Sequence, residues 1–353
     1  MPHPVKQKGP DMATIARKLG VSKTTVHYAL RDTGRVSKQM RERVRTVARE
    51  LGYRPNRLAR SLRTKKTDTF GVVLLSLRTT YHARLLAGIE AAAQESEFGA
   101  LLAISNRDFT VEKQRVDLLL EKGIDGLIAA PVASKESAAY YERLVADGLK
   151  IVFVDRDIPG LQVDAVSTDN ELGGILATRQ LIRRGRETIA FLPPMPVSAQ
   201  TTSVRGRLHG CMRALKEAGL KPSTVLEAKS DEFETDEEYA SDVVTKYLSS
   251  GRRSFDALFA AHDGLAYGAI NALIRKGLRV PQDVAVVGFD DQDSSGFFQP
   301  PLTTIRQPAE LIGREAVRIL FREFSEPRQT EPRQRVLLDP TLVVRDSCGG
   351  KAP

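Results

Sequence analysis

Cysteine is scarce in this sequence, and long apolar runs are missing. The 353 residues include two cysteines, Cys211 and Cys348, whose positions suit neither a metal site nor a disulfide framework. This usage is typical of a reducing compartment, with Cys211 expected in the core and Cys348 in a tail. No stretch approaches the roughly 18 apolar residues that cross a bilayer, and the amino terminus lacks the apolar segment of a signal peptide. We therefore expect a cytoplasmic protein that contacts no membrane.

Motifs of common enzyme classes are absent as well. The first predicted strand-to-helix turn carries no Gly-x-Gly-x-x-Gly fingerprint, and the chain has no Walker phosphate loop, no serine nucleophile elbow and no His-Cys metal cluster. These absences argue against nucleotide-dependent, hydrolytic and zinc chemistry. We predict a protein that is not an enzyme and needs no cofactor.

Positive charge, by contrast, is abundant at one end of the chain. Residues 1–67 carry 18 Lys and Arg against 4 Asp and Glu, whereas the remainder carries 35 against 40. Such a segment is either a solvated charged face or a binding surface for a polyanion. Because the charge coincides with helical patterning, we favour binding to nucleic acid.

Three short helices are predicted within this basic segment. Each follows a residue that favours the N-cap position, and the helices span residues 12–19, 23–30 and 38–51. Short helices joined by tight turns in a basic segment are typical of a helix-turn-helix domain. We assign this domain to residues 11–55, after a loose tail at 1–10.

From residue 68 onward, buried-strand runs such as FGVVLL, IVFVD and VAVVGFD alternate with helices. Continuous apolar strands of this kind predict an α/β fold with doubly wound parallel sheets that are covered on both faces. In such sheets ligands bind at the carboxyl ends of the strands. The strand ends here are polar, with Asp155, His262-Asp263 and Asp290-Asp291, which predicts a ligand-binding cleft.

The chain resembles the LacI–GalR family of bacterial repressors over residues 11–345. In the head, the resemblance rests on ATIARKLGVSKTTV, RVSKQMRERV and ELGYRPNRLARSL. In the rest of the chain, it rests on GIDGLI, VSTDNELGG, VPQDVAVVGFDD and PPLTTIRQP. The resemblance implies a DNA-binding transcription regulator whose body has the periplasmic-binding-protein fold and whose affinity for a pseudo-palindromic operator is controlled by a small effector. A homodimer is favoured over a tetramer, because the tail DSCGGKAP carries no leucine heptads.

The resemblance also implies a domain layout with three crossovers between two body subdomains. The chain would leave the first subdomain near Thr168, re-enter it near Leu302 and leave it again near Glu331. The expected parts are a tail (1–10), a helix-turn-helix domain (11–55), a hinge helix and linker (56–67), a first subdomain (68–168 with 302–330), a second subdomain (169–301 with 331–345) and a tail (346–353).

The second helix of a helix-turn-helix domain lies in the major groove, where its first turns reach base edges. In residues 23–30, Val26 and Leu30 are expected in the small core. Lys23 can donate to guanine, and Thr24 can contact a thymine methyl or a base edge. The candidate DNA-binding residues of the head are Ser22, Lys23, Thr24, Thr25, His27, Tyr28, Ser37 and Tyr53, with Arg35 and Arg41 as further phosphate contacts.

One pair of residues departs from the family, which usually has Ser-Arg where this chain has His27-Tyr28. Arginine reads guanine through two hydrogen bonds, and tyrosine cannot reproduce that contact. We expect the operator to differ from the common half-site at this base pair. The alternative is that Tyr28 only packs against backbone sugar.

Residues 56–67 resemble the hinge helix with which the family binds the minor groove. By this resemblance, Leu62 and its dimer mate form an apolar wedge that unstacks and kinks a central base step. Ala59 is small enough to lie against the groove floor, and Asn56 begins the helix. The alternative for Leu62 is a plain apolar contact with the body.

The body should bind an effector between its subdomains. By resemblance, Arg207 is the arginine that clamps the effector, and Asp290 is the aspartate at the end of its strand. A cation and an anion across a cleft suit a ligand with many hydroxyls, such as a sugar, and Tyr81 could stack on a sugar face. The candidate effector-binding residues are Tyr81, Asp155, Arg156, Arg207, His262, Asp290 and Gln307.

Other interpretations remain open from the sequence. Asp290 could be a salt-bridged structural residue, and His262, where the family often has Asn, could have no role in binding. A soluble sugar-binding protein would share the body but not the basic head. The acidic stretch 291–293 could bind a metal, although its neighbours closely resemble the family without one. Inducer and corepressor, or activator and repressor, are not distinguished.

Overall fold

The chain divides into two compact units, a head within Met1–Thr67 and a body within Asp68–Pro353. The structure is a computed structural model. It describes residues 10–30, 32–53, 66–132, 135–194, 201–227, 233–251, 255–325 and 333–350.

The head is a bundle of three helices, α1 (Met12–Leu19), α2 (Lys23–Leu30) and α3 (Lys38–Glu50). Their apolar faces meet in a small core in which Ile15 and Val26 are fully buried. This arrangement confirms the all-α head that the sequence predicts.

Polar caps determine where the head helices begin. Asp11 accepts a hydrogen bond from the backbone N–H of Thr14 at 2.9 Å. Ser22 and Ser37 accept equivalent bonds from N–H groups three residues further on, at 3.0 and 3.3 Å. Because the first N–H groups of a helix have no partner within the helix, each cap satisfies one of them.

Strands and helices alternate along the body. The strands are β1 (Thr69–Leu74), β2 (Gly99–Ile104), β3 (Gly126–Ala129), β4 (Lys150–Val154), β5 (Asp164–Thr168), β6 (Ile189–Leu192), β7 (Thr224–Val225), β8 (Ala257–Ala260), β9 (Ala285–Asp290), β10 (Thr303–Arg306), β11 (Arg335–Leu338) and β12 (Thr341–Val343). The helices are α4 (Thr80–Glu95), α5 (Phe109–Glu121), α6 (Lys135–Ala146), α7 (Asn170–Arg183), α8 (Thr202–Glu217), α9 (Asp236–Ser249), α10 (Asp263–Arg275) and α11 (Ala309–Ser325).

The described strands form two six-stranded sheets, which define a first and a second subdomain. The first sheet has the order β11-β5-β4-β3-β1-β2 and is parallel throughout. The second has the order β12-β10-β9-β8-β6-β7, and its edge strand β12 runs antiparallel to β10. The predicted α/β class with two doubly wound sheets is confirmed, and the antiparallel edge strand is an addition to it.

Helices cover both faces of each sheet. Helices α4 and α11 pack on one face of the first sheet and α5 and α6 on the other. In the second sheet, neighbouring residues point to opposite faces, so Gly288 meets Asp263 of α10 while Phe289 meets Gly173 of α7. Cys211 of α8 lies in the second core, as predicted. In the described part of the chain, no helix has the length and apolar character that crossing a membrane requires.

Strand β10 corrects the predicted boundary between the subdomains. The sequence prediction returns the chain to the first subdomain near Leu302, but Thr303–Arg306 pairs with β9 in the second sheet. Residues 335–338 then join the first sheet beside β5. The last crossing therefore lies between β11 and β12 rather than near Glu331. A short strand of Thr and Ile suits either sheet, so only tertiary pairing decides where it belongs.

The predicted tail is wrong at its start. Asp346–Cys348 forms a 3-10 helix, and Cys348 is fully buried. The hydroxyl of Ser347 donates to the carbonyl of Val286 at 2.6 Å and accepts from the N–H of Thr303 at 2.9 Å. These bonds hold the segment to β9 and β10, and the composition of the tail gives no sign of them.

Helix α9 is absent from the sequence prediction, although the chain carries a signal for it. Thr235 and Glu238 form the start of a capping box, with the Thr235 hydroxyl accepting from the Glu238 N–H at 3.2 Å. Tyr239 and Val243 follow at helical spacing and are buried. The first residue of this helix, Asp236, lies at the cleft between the subdomains.

The close packing of α4 against a glycine of α11 leads to a prediction about stability. A Cβ at Gly313 of α11 would stand 2.3 Å from the carbonyl oxygen of Leu85 in α4. Alanine normally stabilises a helix relative to glycine, but here the clash dominates. We expect Gly313→Ala to lower the free energy of unfolding by about 1–3 kcal/mol, measured by urea denaturation.

The matched control is Gly296→Ala in the 3-10 helix Asp293–Gly296, where an added Cβ would meet its nearest neighbour, Arg345 Nε, at 3.9 Å. This variant should change stability by less than about 0.5 kcal/mol. Equal losses in the two variants would show that the close approach of α4 and α11 is not the cause.

Candidate functional site

The head carries the first group of predicted site residues. Ser22, Lys23 and Thr24 are exposed at the amino end of α2, while Val26 and Ala29 are fully buried. Ala29 is a further core position, and the leucine that follows it is partly buried and packs against the same core. Helix α2 presents its first turn to solvent, as a recognition helix requires.

His27 and Tyr28 differ in exposure. Tyr28 is 41% exposed, and its ring packs against Gly34, where an added Cβ would lie 2.9 Å from the ring. His27 is half-buried, with its ring centre 5.8 Å from that of Tyr28, so it is less accessible than Tyr28. Arg35 is exposed, and Arg41 donates to the Gly34 carbonyl at 3.2 Å.

The other predicted head residues lie around α2 and α3. Thr25 is half-buried, and its hydroxyl bonds that of Ser22 at 2.9 Å. Ser37 is exposed at the start of α3. Tyr53 packs against the head core, and burial raises the pKa of its phenol. The predicted hinge residues, which lie outside the described residues, are Asn56, Ala59 and Leu62.

The second group lies where strands of both sheets end. Asp155 follows β4, His262 follows β8, Asp290 ends β9 and Gln307 follows β10. The φ angles of Asp155 and Asp290 are +67° and +116°, values that residues other than glycine rarely adopt. Such backbone persists where its surroundings hold it, and it is concentrated at functional sites.

Arg207 of α8 is a buried cation held by three groups. Its Nε donates to Asn170 Oδ1 at 2.9 Å, and its Nη1 donates to the Ala261 carbonyl at 2.5 Å. The guanidinium lies 3.7 Å from the centre of the Phe289 ring. Burial lowers the pKa of this arginine, and nearby carboxylates oppose the shift. A buried charge is costly unless it is paired and hydrogen-bonded, and these contacts meet that requirement.

Gln307 connects the subdomains beside Asp290. Its Nε2 donates to Asp290 Oδ1 at 2.6 Å, and its Oε1 accepts from the hydroxyl of Thr168 at 2.5 Å. Burial raises the pKa of Asp290, although Arg207 opposes that rise. The amide thus fixes the orientation of the carboxyl group at the end of β9.

Three buried polar atoms in this region have no hydrogen-bond partner among the described residues. They are Tyr81 Oη, His82 Nε2 and His262 Nε2. Tyr81 and His82 are 4% and 7% exposed. A buried polar group without a partner costs about 1–3 kcal/mol. These atoms are therefore candidates to bind a ligand.

The position of Tyr81 corrects its predicted stacking role. Its ring lies in the apolar core of the first subdomain and meets the His82 ring edge to face, with 5.3 Å between the centres. It has almost no free face for a sugar. Burial and the nearby carboxylates of Asp155 and Asp290 raise the pKa of Tyr81 well above its usual value. The hydroxyl, rather than the ring face, is the group close to these carboxylates.

Asp155 is the central charged residue on the first-subdomain side of the cleft. Arg156 donates to it at 2.9 Å. Burial alone would raise the pKa of Asp155, but Arg156, His82 and Arg207 hold it below its usual value. Burial lowers the pKa of His82 to about 4, so this imidazole is neutral near pH 7. Asp155 is therefore an acceptor beside two arginines.

His262 caps α10 and lies against Asp236. Its Nδ1 accepts from the N–H of Leu265 at 3.4 Å, which leaves a proton on Nε2 when the ring is neutral. Nε2 lies 3.4 Å from Asp236 Oδ2, a contact too poorly aligned to count as a hydrogen bond. Burial lowers the pKa of His262 to about 4. Arg107 of the first subdomain also contacts Asp236, at 3.3 Å.

The sequence prediction missed His82, Arg107, Asn170 and Asp236. The sequence carries a signal for two of these four residues. Arg107 lies three residues beyond β2, so it falls under the strand-end rule that ligands bind at the carboxyl ends of parallel strands. The capping box at Thr235 would have placed Asp236 at the start of a helix.

A cavity of about 730 Å³ adjoins these residues. It shares Asp155 and Arg156 with them and extends along the amino ends of α7 and α8, past Asn170 and Ser203. It does not include Tyr81, so the cavity and the unpartnered atoms are neighbouring regions. Its volume is in the range of small-molecule sites.

The acidic stretch 291–293 gives no sign of a metal site. Asp291 accepts hydrogen bonds from Arg306 at 2.6 Å and from Arg345 at 2.7 Å. Across the ranges that the structure describes, no three His, Cys, Asp or Glu side chains group in a way that could hold a metal ion. The aspartate is instead a buried anchor for two arginines.

Two family models match the chain in the order of its two units. The model for bacterial regulatory proteins of the lacI family matches residues 11–56. The model for the periplasmic binding protein-like domain matches residues 178–348.

Individual proteins match over nearly the whole chain. The ribose operon repressor of Haemophilus influenzae is 31% identical over 338 residues, which cover 95% of this chain and 98% of the relative. The repressor PurR of Pasteurella multocida is 31% identical over 343 residues, which cover 95% and 98%. The crystal structure of the lac repressor dimer bound to operator and the anti-inducer ONPF matches with a TM-score of 0.82 and 27% identity, over 97% of this chain and 99% of that chain.

Three findings point to the same family. They are the basic helix-turn-helix head, the two α/β subdomains and the full-length similarity to transcription repressors. The relatives are regulators rather than enzymes. This protein belongs to the lacI family of bacterial regulatory proteins and is a DNA-binding transcription regulator.

Proposed function

We propose that this protein is a repressor that binds a pseudo-palindromic operator as a homodimer and responds to a polyhydroxylated effector, a sugar or sugar derivative. The observation that carries the effector class is the set of three buried, unpartnered atoms, Tyr81 Oη, His82 Nε2 and His262 Nε2. A hydroxyl group both donates and accepts, so one sugar can bond a phenol and two imidazoles together. Because the operator is chromosomal DNA, we place this activity in the cytoplasm.

The charges of the cleft favour a neutral ligand. Asp155 lies close to Arg156 and Arg207, and Asp290 lies close to Arg207, so each of these arginines already has a carboxyl group nearby. An anionic effector would need a cation that no carboxylate already opposes. Sugar hydroxyls can donate to the carboxylates and accept from the guanidinium groups. The similarity to a ribose operon repressor is consistent with this class.

The cleft residues come from both subdomains, which gives the effector a way to control DNA binding. Tyr81 and Asp155 belong to the first subdomain, and Arg207 and Asp290 belong to the second. A ligand that contacts all four binds the closed arrangement better than the open one, and only such a difference can shift the equilibrium. In a dimer, effector binding that changes the subdomain angle would thereby change the affinity for operator.

The head residues divide by the contacts they would make. Lys23, Thr24 and Tyr28 are proposed to reach base edges, since they are exposed on the first two turns of α2. The residues proposed to contact phosphates are Ser22, Thr25, His27, Ser37 and Tyr53. The residues proposed to bind the minor groove are Asn56, Ala59 and Leu62.

The effector class can be tested with Tyr81→Phe. The variant removes an unpartnered buried hydroxyl and keeps the ring, so the free protein should be at least as stable as wild type. In wild type, at least one of D-ribose, D-glucose, D-galactose and D-xylose should bind in isothermal titration calorimetry. The affinity of Tyr81→Phe for that sugar should be lower by about three- to tenfold.

The control is Tyr140→Phe, which removes a hydroxyl that donates to Asp117 at 2.7 Å. This variant should lose stability and keep its affinity for the sugar. Adenine and guanine complete the panel. Binding of a purine but of no sugar would contradict the proposed class, and an unchanged affinity in Tyr81→Phe would contradict the role of its hydroxyl.

Base readout by Tyr28 can be tested by selecting binding sites from random DNA. We expect Tyr28→Arg to gain a preference for guanine at one position in each half-site, because arginine donates two hydrogen bonds to that base. The change should shift the preference by about 1–3 kcal/mol at that position. Lys23→Gln serves as a comparison and should alter a different position. Unchanged base preferences at every position in Tyr28→Arg would show that Tyr28 does not face a base.

A further inference from the structure

An ion pair connects the two subdomains at one end of the cleft. Arg107, which follows β2 in the first subdomain, donates through both terminal nitrogens to the two carboxylate oxygens of Asp236, at 3.3 Å each. Asp236 begins α9 in the second subdomain. His262 lies on the other side of the same carboxylate, with Nε2 at 3.4 Å from Oδ2.

The backbone before Arg107 is held in an unusual conformation. Asn106 and Arg107 have φ angles of +52° and +61°. These two residues are the central pair of a tight turn, residues 105–108, which is closed by a 3.0 Å hydrogen bond from the N–H of its last residue to the carbonyl of its first. The next residue, Asp108, caps α5 by accepting from the N–H of Val111 at 3.1 Å. The turn therefore directs Arg107 towards Asp236 while α5 fixes its far side.

Asp236 is well placed to contribute to closure. Its side chain is 25% exposed, and that of Arg107 is 49% exposed. Burial alone would raise the pKa of Asp236, but His262 and Arg107 hold it below its usual value. The carboxylate is therefore charged near neutral pH, and because it is partly buried, salt screens its attraction to Arg107 less than that of a fully exposed pair.

A second cross-subdomain pair, between Arg84 and Asp293 at 2.6 Å, differs in this respect. The side chain of Asp293 is 75% exposed, so water and salt weaken the attraction. The amide N–H of Asp293 also lies 3.4 Å from the hydroxyl of Thr80. This pair is a surface contact beside the cleft, whereas the pair at Asp236 includes a histidine of the candidate effector site.

We propose that Arg107, Asp236 and His262 form a closure latch that holds the two subdomains together and sets the effector affinity. The ion pair can form only when the first-subdomain turn and the start of α9 approach each other. His262 connects the latch to the effector, since a ligand hydroxyl that bonds Nε2 also lies beside Asp236. The link between the latch and effector affinity rests on the proposed function, whereas the effect of the latch on closure does not.

The latch can be tested by measuring the distance between the subdomains in the full-length protein. Spin labels attached through Gln114→Cys on α5 and Lys246→Cys on α9 would report the separation, because both positions are exposed and the native cysteines are buried. Asp236→Asn and Arg107→Gln should each move the distribution to longer distances without any ligand. The double variant should resemble each single variant, and Arg107→Asp combined with Asp236→Arg should restore the short distance.

The matched control is Arg279→Gln, which breaks an ion pair with Asp283 inside the second subdomain whose side chains are 72% and 25% exposed. It should leave the distance unchanged. Each latch variant should also weaken binding of the sugar found in the calorimetric panel by about two- to fivefold.

The two measurements separate the proposals. Unchanged distances in both single variants, or additive effects with no restoration by the charge exchange, would overturn the latch. If no sugar binds but the distances change as expected, the latch stands and the proposed effector class fails. If the distances change and sugar affinity does not, the part of the proposal that links closure to affinity is wrong.

Discussion

The body depends on charges that are buried where two parallel sheets end. Arg207 and Asp155 are buried and Asp290 is half-buried, and an unpaired buried charge would oppose folding. Their neighbours therefore have fixed tasks. Asn170 and the Ala261 carbonyl bind the guanidinium, and an amide orients one carboxyl group. The close contact of α7 with α8 serves the same cluster, because Arg207 lies on the helix face that touches α7.

The remaining polar atoms of this region explain how such a site can recognise a ligand. Fully paired charges would give a rigid core and leave nothing to bind. Here the charges are largely paired within the protein, while Tyr81, His82 and His262 each keep one buried polar atom without a partner. A ligand that satisfies these atoms gains hydrogen bonds that the free protein lacks, so selectivity arises from polar groups that folding alone leaves unpaired.

The two units of the chain use charge in opposite ways. The head concentrates cations on exposed helices, which suits the continuous negative charge of DNA. In the body, opposite charges lie near one another at the strand ends, a balance that suits a neutral ligand and makes its contacts depend on geometry. Arg107 and Asp236 extend that balance across the two subdomains. A regulator needs both properties, since DNA affinity must be strong and effector binding must change a shape.

Much of this protein can be predicted from its sequence, because many of its features depend on residues that are close along the chain. Caps such as Ser22 and Ser37 mark helix starts, and apolar runs mark strands that are buried on both faces. The strand-end rule also brings Asp155 and Asp290 to one cleft. The tertiary structure alone decided the sheet to which β10 belongs, the burial of Cys348 and the pairing of Arg107 with Asp236. These features depend on contacts between distant segments, and the local pattern of residues is the same whichever partner a segment finds.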